Sequence, residues 1–297
     1  MDIHEIIFDR EGGDVNVTLV GVGNVTADSV SLLVTMEPEN DDEEEIESRL
    51  LHYNRKTKEV SVLVEFQDWF TALTEDQQGI LYASSASGEF VTLKNNKAVT
   101  KDLNCPDGLN ALRMLPEGGY VLVGNEGMLV QLEPGKKTPV SYNFGSDLYD
   151  LSVFSQTAMV AVGDKGGILY GNGTTWEKIK ARTTACMYAV WMVNETFYYV
   201  GGERKLLQIK PDKINSMKIP DGVTVYSMVV FQDQLYIATG EDGIYMVETS
   251  GEYKQVADDY MFTLQTAGGF LFGFGNEMMI QYDGTEWEKT RVLFQST

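Results

Sequence analysis

The chain is poor in the residues that most often carry covalent or metal chemistry. It holds two cysteines, Cys105 and Cys186, and two histidines, His4 and His52, in 297 residues. Two thiols cannot build a disulfide framework, and no Cys or His pair has zinc-ligand spacing. A Ser-His-Asp arrangement needs a histidine beside its nucleophile, and both histidines fall in segments expected to lie at an edge or on the surface. No stretch approaches the roughly 18 apolar residues of a membrane span. The first ten residues lack a basic start and a long apolar core, so they do not read as a signal peptide. With so few cysteines, this sets the expectation of a reducing, cytoplasmic setting. Basic side chains are also scarce, 23 against 44 acidic ones, for a net charge of −21. That balance argues against nucleic-acid binding, which needs a basic surface. It suits the steering of cationic partners. No phosphate loop or dinucleotide fingerprint is present, and the expectation is of no cofactor and no metal.

Glycine is not scarce, and it recurs on a period. Apolar β runs end at Gly124, Gly163, Gly201, Gly240 and Gly275, spaced 39, 38, 39 and 35 residues apart, and a worn copy ends at Ser85, 39 before Gly124. Strand-built periodicity of this length marks a repeat architecture. Each unit divides into four short runs rich in β-branched and aromatic residues, separated by Gly, Asn and Asp. The unit around Gly163 gives runs at Leu148–Phe154, Ala158–Val162 and Ile168–Tyr170, with a fourth starting at Trp176. The next gives Met187–Val193, Phe197–Val200, Lys205–Ile209 and Ser216–Ile219.

First strands align independently, through a large residue followed by a small, mostly polar one. The small members are Thr18, Thr71, Asn110, Asp150, Ala189, Ser227 and Thr263. Seven four-stranded units without helical segments predict an all-β fold, a seven-bladed β-propeller in one domain spanning residues 1–297. First strands then line a central channel, where small residues let them converge. The segment His4–Phe8 is left over and is expected to pair beside the last blade, clasping the termini together.

Two units share an ending. Gly163-Asp164-Lys165-Gly166-Gly167 leads through an apolar run to Asn172-Gly173-Thr174-Thr175-Trp176, and the run from Gly275 leads to Asp283-Gly284-Thr285-Glu286-Trp287. This resembles the bacterial neuraminidase repeat, or Asp-box, and the related propellers of photosystem assembly factors. Neither copy holds the full Ser-x-Asp-x-Gly-x-Thr-Trp, so the resemblance implies a propeller and says little of activity. The tight Asp/Asn-Gly turn forms a hairpin, and Trp176 and Trp287 are expected to staple a blade to its neighbour. Sialidase-like members of that group use an arginine triad. Of seven arginines here only Arg113 falls on an inner strand, so no triad can be assembled. A glycosidase needs two suitably placed carboxylates, and Asp150 with Asp147 or Asp107 is the pairing that approaches it.

The remaining unusual element is an acidic insertion, residues 36–48, between strands two and three of blade one. It carries Glu37, Glu39, Asp41, Asp42, Glu43, Glu44, Glu45 and Glu47. Propeller geometry puts such turns on one face with the lead-ins to the first strands. That face is expected to gather Asp68, Asp107, Asp147, Asp150, Glu203, Glu241 and Asp242 as well. Repulsion among these carboxylates would be relieved by a counter-charged partner. The sequence therefore reads as a non-catalytic, protein-binding propeller that docks a basic partner on an acidic face, in character similar to immunity proteins that neutralise bacterial toxins. Two alternatives stay open: an Asp-box-type carbohydrate-active hydrolase or lectin, and an assembly factor for a larger complex.

Overall fold

The computed structural model describes residues 3–10, 15–38, 46–94, 97–103, 108–133, 136, 140–248 and 250–296. Among them, strands form six four-stranded antiparallel sheets and one five-stranded sheet. The four-stranded blades run in sequence order, and the fold is a seven-bladed β-propeller. Among the described residues, helix is confined to two three-residue 3-10 turns, Asn125–Gly127 and Asp164–Gly166. Contacts group the chain into two compact units, Met1–Pro106 with Thr263–Thr297 and Asp107–Phe262.

In the first unit, the strand Ile3–Arg10 runs parallel to the last strand, Trp287–Ser296, from Ile3 opposite Lys289 to Arg10 opposite Ser296. The expected clasp is therefore present, as a fifth strand on an already four-stranded blade. It buries Ile6 and Phe8 in a core shared with Val15, Val17, Tyr53 and Val292. Blade one keeps its second and third strands as Ser29–Pro38 and Glu47–Asn54. The segment between them is residues 39–46, shorter than the insertion expected over 36–48, because Glu37 and Glu47 are strand residues. Glu39, Asp41, Asp42, Glu43, Glu44, Glu45 and also Asp107 lie outside the described residues.

In the second unit, apolar clusters fill the spaces between successive blades. One joins Val121, Leu129 and Leu148; another joins Val160, Val190 and Val200; a third joins Ala189, Leu206 and Ile237. The repeat glycine has a steric cause. Gly124 and Gly163 are extended, at φ −160° and −173°. A β-carbon on either would stand 2.0 or 1.9 Å from the main-chain oxygen of Gly108 or Asp147; in blade five the equivalent position is Gly202, not Gly201, and its β-carbon would meet the Cys186 oxygen at 2.0 Å. The second strand must lie this close to its own blade's lead-in, and only glycine permits it.

Strand pairing corrects the alignment of the first strands. A register shift falls between Leu19 and Gly21, Phe70 and Ala72, Leu109 and Ala111, Leu148 and Asp150, and Met187 and Ala189. Each is a one-residue bulge. The small residues that share one position are therefore Gly21, Ala72, Ala111, Asp150 and Ala189. Thr71 and Asn110 are one residue out, and Thr18 is three. Thr18 instead bridges to Asn276. Alternation alone cannot reveal a bulge, because the extra residue leaves the apolar pattern on both sides intact. The fourth strand of blade five is Lys213–Ser216, not Ser216–Ile219. Met217 and Ile219 are apolar because they pack on the neighbouring core, not because they are in the strand.

Candidate functional site

The site is built where turns between second and third strands meet the lead-ins of the next blade in the second unit. Gly145 N–H donates to the Glu126 carbonyl (3.1 Å), Gly166 N–H to Ala185 (2.9 Å) and Arg204 N–H to Val223 (3.2 Å), while Gly240 and Met261 exchange bonds of 2.8 and 3.1 Å. These main-chain bonds fix the turns, so side chains carried there are held on a rigid support.

Onto this support the bulges aim tyrosines. The bulged residues of blades four and five are Tyr149 and Tyr188, and Tyr226 precedes the equivalent small residue, Ser227, of blade six. Their rings form a continuous arc, with centroids 5.1 Å apart for Tyr149 and Tyr188 and 5.8 Å for Tyr188 and Tyr226. Tyr260 extends it: Gly240 lies between Tyr226 and Tyr260, so a β-carbon there would approach their rings to 3.1 and 3.9 Å. Tyr226 and Tyr260 are 45% and 48% exposed, more than ring burial in a blade requires. The matching positions in blades one to three are Val20, Thr71 and Asn110. A residue that changes from blade to blade is not needed to build a blade.

Carboxylates line the arc. Tyr149 O–H donates to Asp164 Oδ1 at 2.9 Å, and the Cys186 thiol donates to the same oxygen at 3.1 Å. Tyr188 O–H donates to Glu203 Oε1 at 3.4 Å, and Cys186 N–H to Glu203 Oε2 at 3.1 Å. Burial, then the charges of Cys186 and Glu203, pushes Tyr188 up to about 12. Burial and the bond to Asp164 push Tyr149 up as well. The bond to Asp164, then burial, raises Cys186, so its thiol is held in the unreactive form. Among the described residues no group of three or more His, Cys, Asp or Glu could hold a metal ion.

The structure distributes the expected site residues unevenly. Glu203, Glu241 and Asp242 are exposed in the second-to-third turns, and Asp147 is half-buried in the lead-in of blade four. Asp147 Oδ1 accepts the Glu126 N–H at 2.7 Å. Asp150 is placed elsewhere, in the joint between first strands. Arg113 Nη2 donates to its Oδ1 at 2.8 Å, Val190 N–H to its Oδ2 at 2.9 Å and Leu151 N–H to its Oδ1 at 2.7 Å. One carboxylate thus ties three consecutive blades. In the first unit, Asp68 caps Trp69 N–H at 2.7 Å and accepts from Ser87 Oγ. Glu37 is half-buried opposite Asn16, and Glu47 pairs with Arg49 at 3.5 Å.

Negative charge in the second unit does not gather at one end of the sheets. Glu117, Glu195, Asp212, Asp233, Glu248 and Glu252 stand at the opposite end, while Lys165, Arg182 and Arg204 stand among the acids of the tyrosine end. Carboxylates follow solvent, and turns at both ends meet it. What sets the tyrosine end apart is the aromatic arc. The sequence did carry its signal, a large residue before each small one, but without the bulge nothing showed which way it points.

The two Asp-box-like turns are hairpin caps. Asn172 Oδ1 accepts from Thr174 and Thr175 N–H (3.1 and 2.9 Å), and Asp283 Oδ1 from Thr285 and Glu286 N–H (2.6 and 2.8 Å). Trp176 does reach the neighbouring blade, donating Nε1–H to Gln131 at 3.4 Å. Trp287 stacks on Tyr282 of its own blade, 4.6 Å between centroids.

No family model matches the chain, and no curated protein matches it. Solved structures do: 613 chains are similar, a number that by itself makes the fold uninformative about function. Sqt1 of Saccharomyces cerevisiae is 11% identical with a TM-score of 0.65, over 97% of this chain and 88% of its own. A chain of the Mitotic Checkpoint Complex is 12% identical with a TM-score of 0.66, over 82% and 80%. YCF48, in a structure with D1 peptide bound, is 8% identical with a TM-score of 0.59, over 75% and 81%. At such identities the likeness is one of fold.

Proposed function

We propose that this chain is a non-catalytic protein-binding propeller that docks a partner on the tyrosine–carboxylate arc of blades four to six, with cationic side chains of the partner facing the carboxylates. The observation that carries the reading is the arc of adjoining rings of Tyr149, Tyr188 and Tyr226, continued by Tyr260 and bordered by Asp164 and Glu203. Tyrosine supplies large, rigid contact area at low entropy cost and is enriched at protein interfaces. Tyrosine faces and carboxylates together favour a cation. Among the propellers of similar fold, one comes from the Mitotic Checkpoint Complex and another was solved with a peptide bound, which supports a binding role here.

The hydrolase alternative loses its best carboxylate, because Asp150 is engaged by Arg113 and two main-chain N–H groups. The finer readings, a toxin effector or a subunit of a larger complex, differ in the partner's identity and share the surface. The test is affinity capture from the native cell with the wild-type chain and with a Tyr226→Ser, Tyr260→Ser, Glu203→Lys variant. All three side chains are exposed, so the variant is expected to melt as the wild type does. Partner recovery is expected to fall more than about tenfold, and the captured partner to be rich in Lys and Arg. Unchanged recovery on a folded variant contradicts the reading.

A further inference from the structure

A cleft of about 290 Å³ opens beside the arc, between the lead-in to blade four and that blade's third and fourth strands. Its floor is apolar: Leu148 and Leu169 are 2% and 4% exposed. Its walls are aromatic, from Phe144 and Trp176. Trp176 is fixed from two sides, by its bond to Gln131 and by Gly171, where a β-carbon would come within 2.8 Å of the indole. Asp147 and Asp164 also line it, their main chains joined by a 2.9 Å bond from Asp164 N–H to the Asp147 carbonyl. Each carboxylate has one oxygen occupied, Asp147 Oδ1 by Glu126 N–H and Asp164 Oδ1 by Tyr149 and Cys186. Among the described residues neither second oxygen has a donor. Asp164 belongs to both the cleft and the arc, so one bound segment can reach both.

We infer that this cleft is an anchor pocket for an arginine side chain of the docked partner. The inference rests on the docking reading above and names the chemistry of its deepest contact. An arginine stem covers apolar surface while its head stays polar. The planar guanidinium stacks on an indole and presents donors in two directions at once, matching two carboxylates, each with one oxygen free. A lysine ammonium is a compact, strongly hydrated charge with no face to stack, so it gains less from Trp176. Lys178 also lines the cleft and is exposed; it opposes a cation there and gives a variant that leaves the packing untouched.

The test uses fluorescent nonamers of arginine, of lysine and of uncharged citrulline, titrated with the full chain by anisotropy at about 50 and about 300 mM salt. Nona-arginine is expected to bind about tenfold tighter than nona-lysine, and citrulline not at all. Asp147→Asn with Asp164→Asn keeps the acceptors for Glu126 and Tyr149, and is expected to abolish the arginine preference. Lys178→Gln is expected to tighten nona-arginine about threefold. Equal binding of both cationic peptides, unaffected by either change yet weakened by Glu203→Lys, overturns the pocket and leaves the docking surface standing. No binding of either peptide overturns both.

Discussion

At the residue scale, the same side-chain chemistry does two different jobs depending on where the backbone puts it. Asp150 is a blade tie and Asp147 a cap on a turn, although both were read from the sequence as acids near one rim. Replacing Asp150 with alanine leaves Val190 N–H without its acceptor in a part-buried joint, and is expected to cost about 2 kcal/mol by denaturant unfolding. Little of that comes from Arg113, which is 42% exposed and screened by water. A loss under a few tenths of a kcal/mol would show that the tie is incidental. Tyr82, Tyr188 and Tyr198 are pushed up to about 12, in each case mainly by burial. Their unfolded value lies near 10. A folded value above the unfolded one means full stability below about pH 10, lost as pH rises through about 12. Absorbance titration of the phenolates should show a late-titrating group among the 15 tyrosines, released together with unfolding. All of them titrating near 10 in a folded chain would contradict the burial.

At the element scale, the repeat was legible because its cause is local. Glycine at the end of the second strand in blades three to five, turn residues after the second strands and alternating apolar runs are all dictated by one blade. Gly163→Ala would press a β-carbon to 1.9 Å from main-chain oxygen, and a loss of at least about 3 kcal/mol is expected. Gly145→Ala, where φ is +70° and nothing lies within 4 Å, serves as the control at about 1 kcal/mol. Similar costs for the two would show that conformation rather than contact sets the glycine. The N-terminal strand was legible as a leftover segment, since seven complete blades leave no place for it inside one. Removing residues 1–10 takes away Ile6 and Phe8, 1% and 4% exposed, and is expected to lower stability by about 3–6 kcal/mol. An unchanged melting temperature would mean the strand is ornamental. The bulges were not legible, because they depend on how a first strand meets its partner across the sheet. With them went the direction of Tyr149 and Tyr188.

At the scale of the whole molecule, composition misled in one respect. An excess of 21 negative charges suggested a single acidic face, yet in the second unit acids stand at both ends of the sheets. Uniform acidity keeps a chain soluble without specifying a partner. Specificity has to come from something less repeated, and the arc with its cleft is what the blades do not share. The most direct test is to label the tyrosine rings isotopically and follow their NMR signals as nona-arginine is added. Tyr149, Tyr188, Tyr226 and Tyr260 are expected to shift together and saturably, with Tyr170 and Tyr198, at the other end of their blades, unmoved. Shifts centred on Tyr170 and Tyr198, or spread evenly over all rings, would contradict the account.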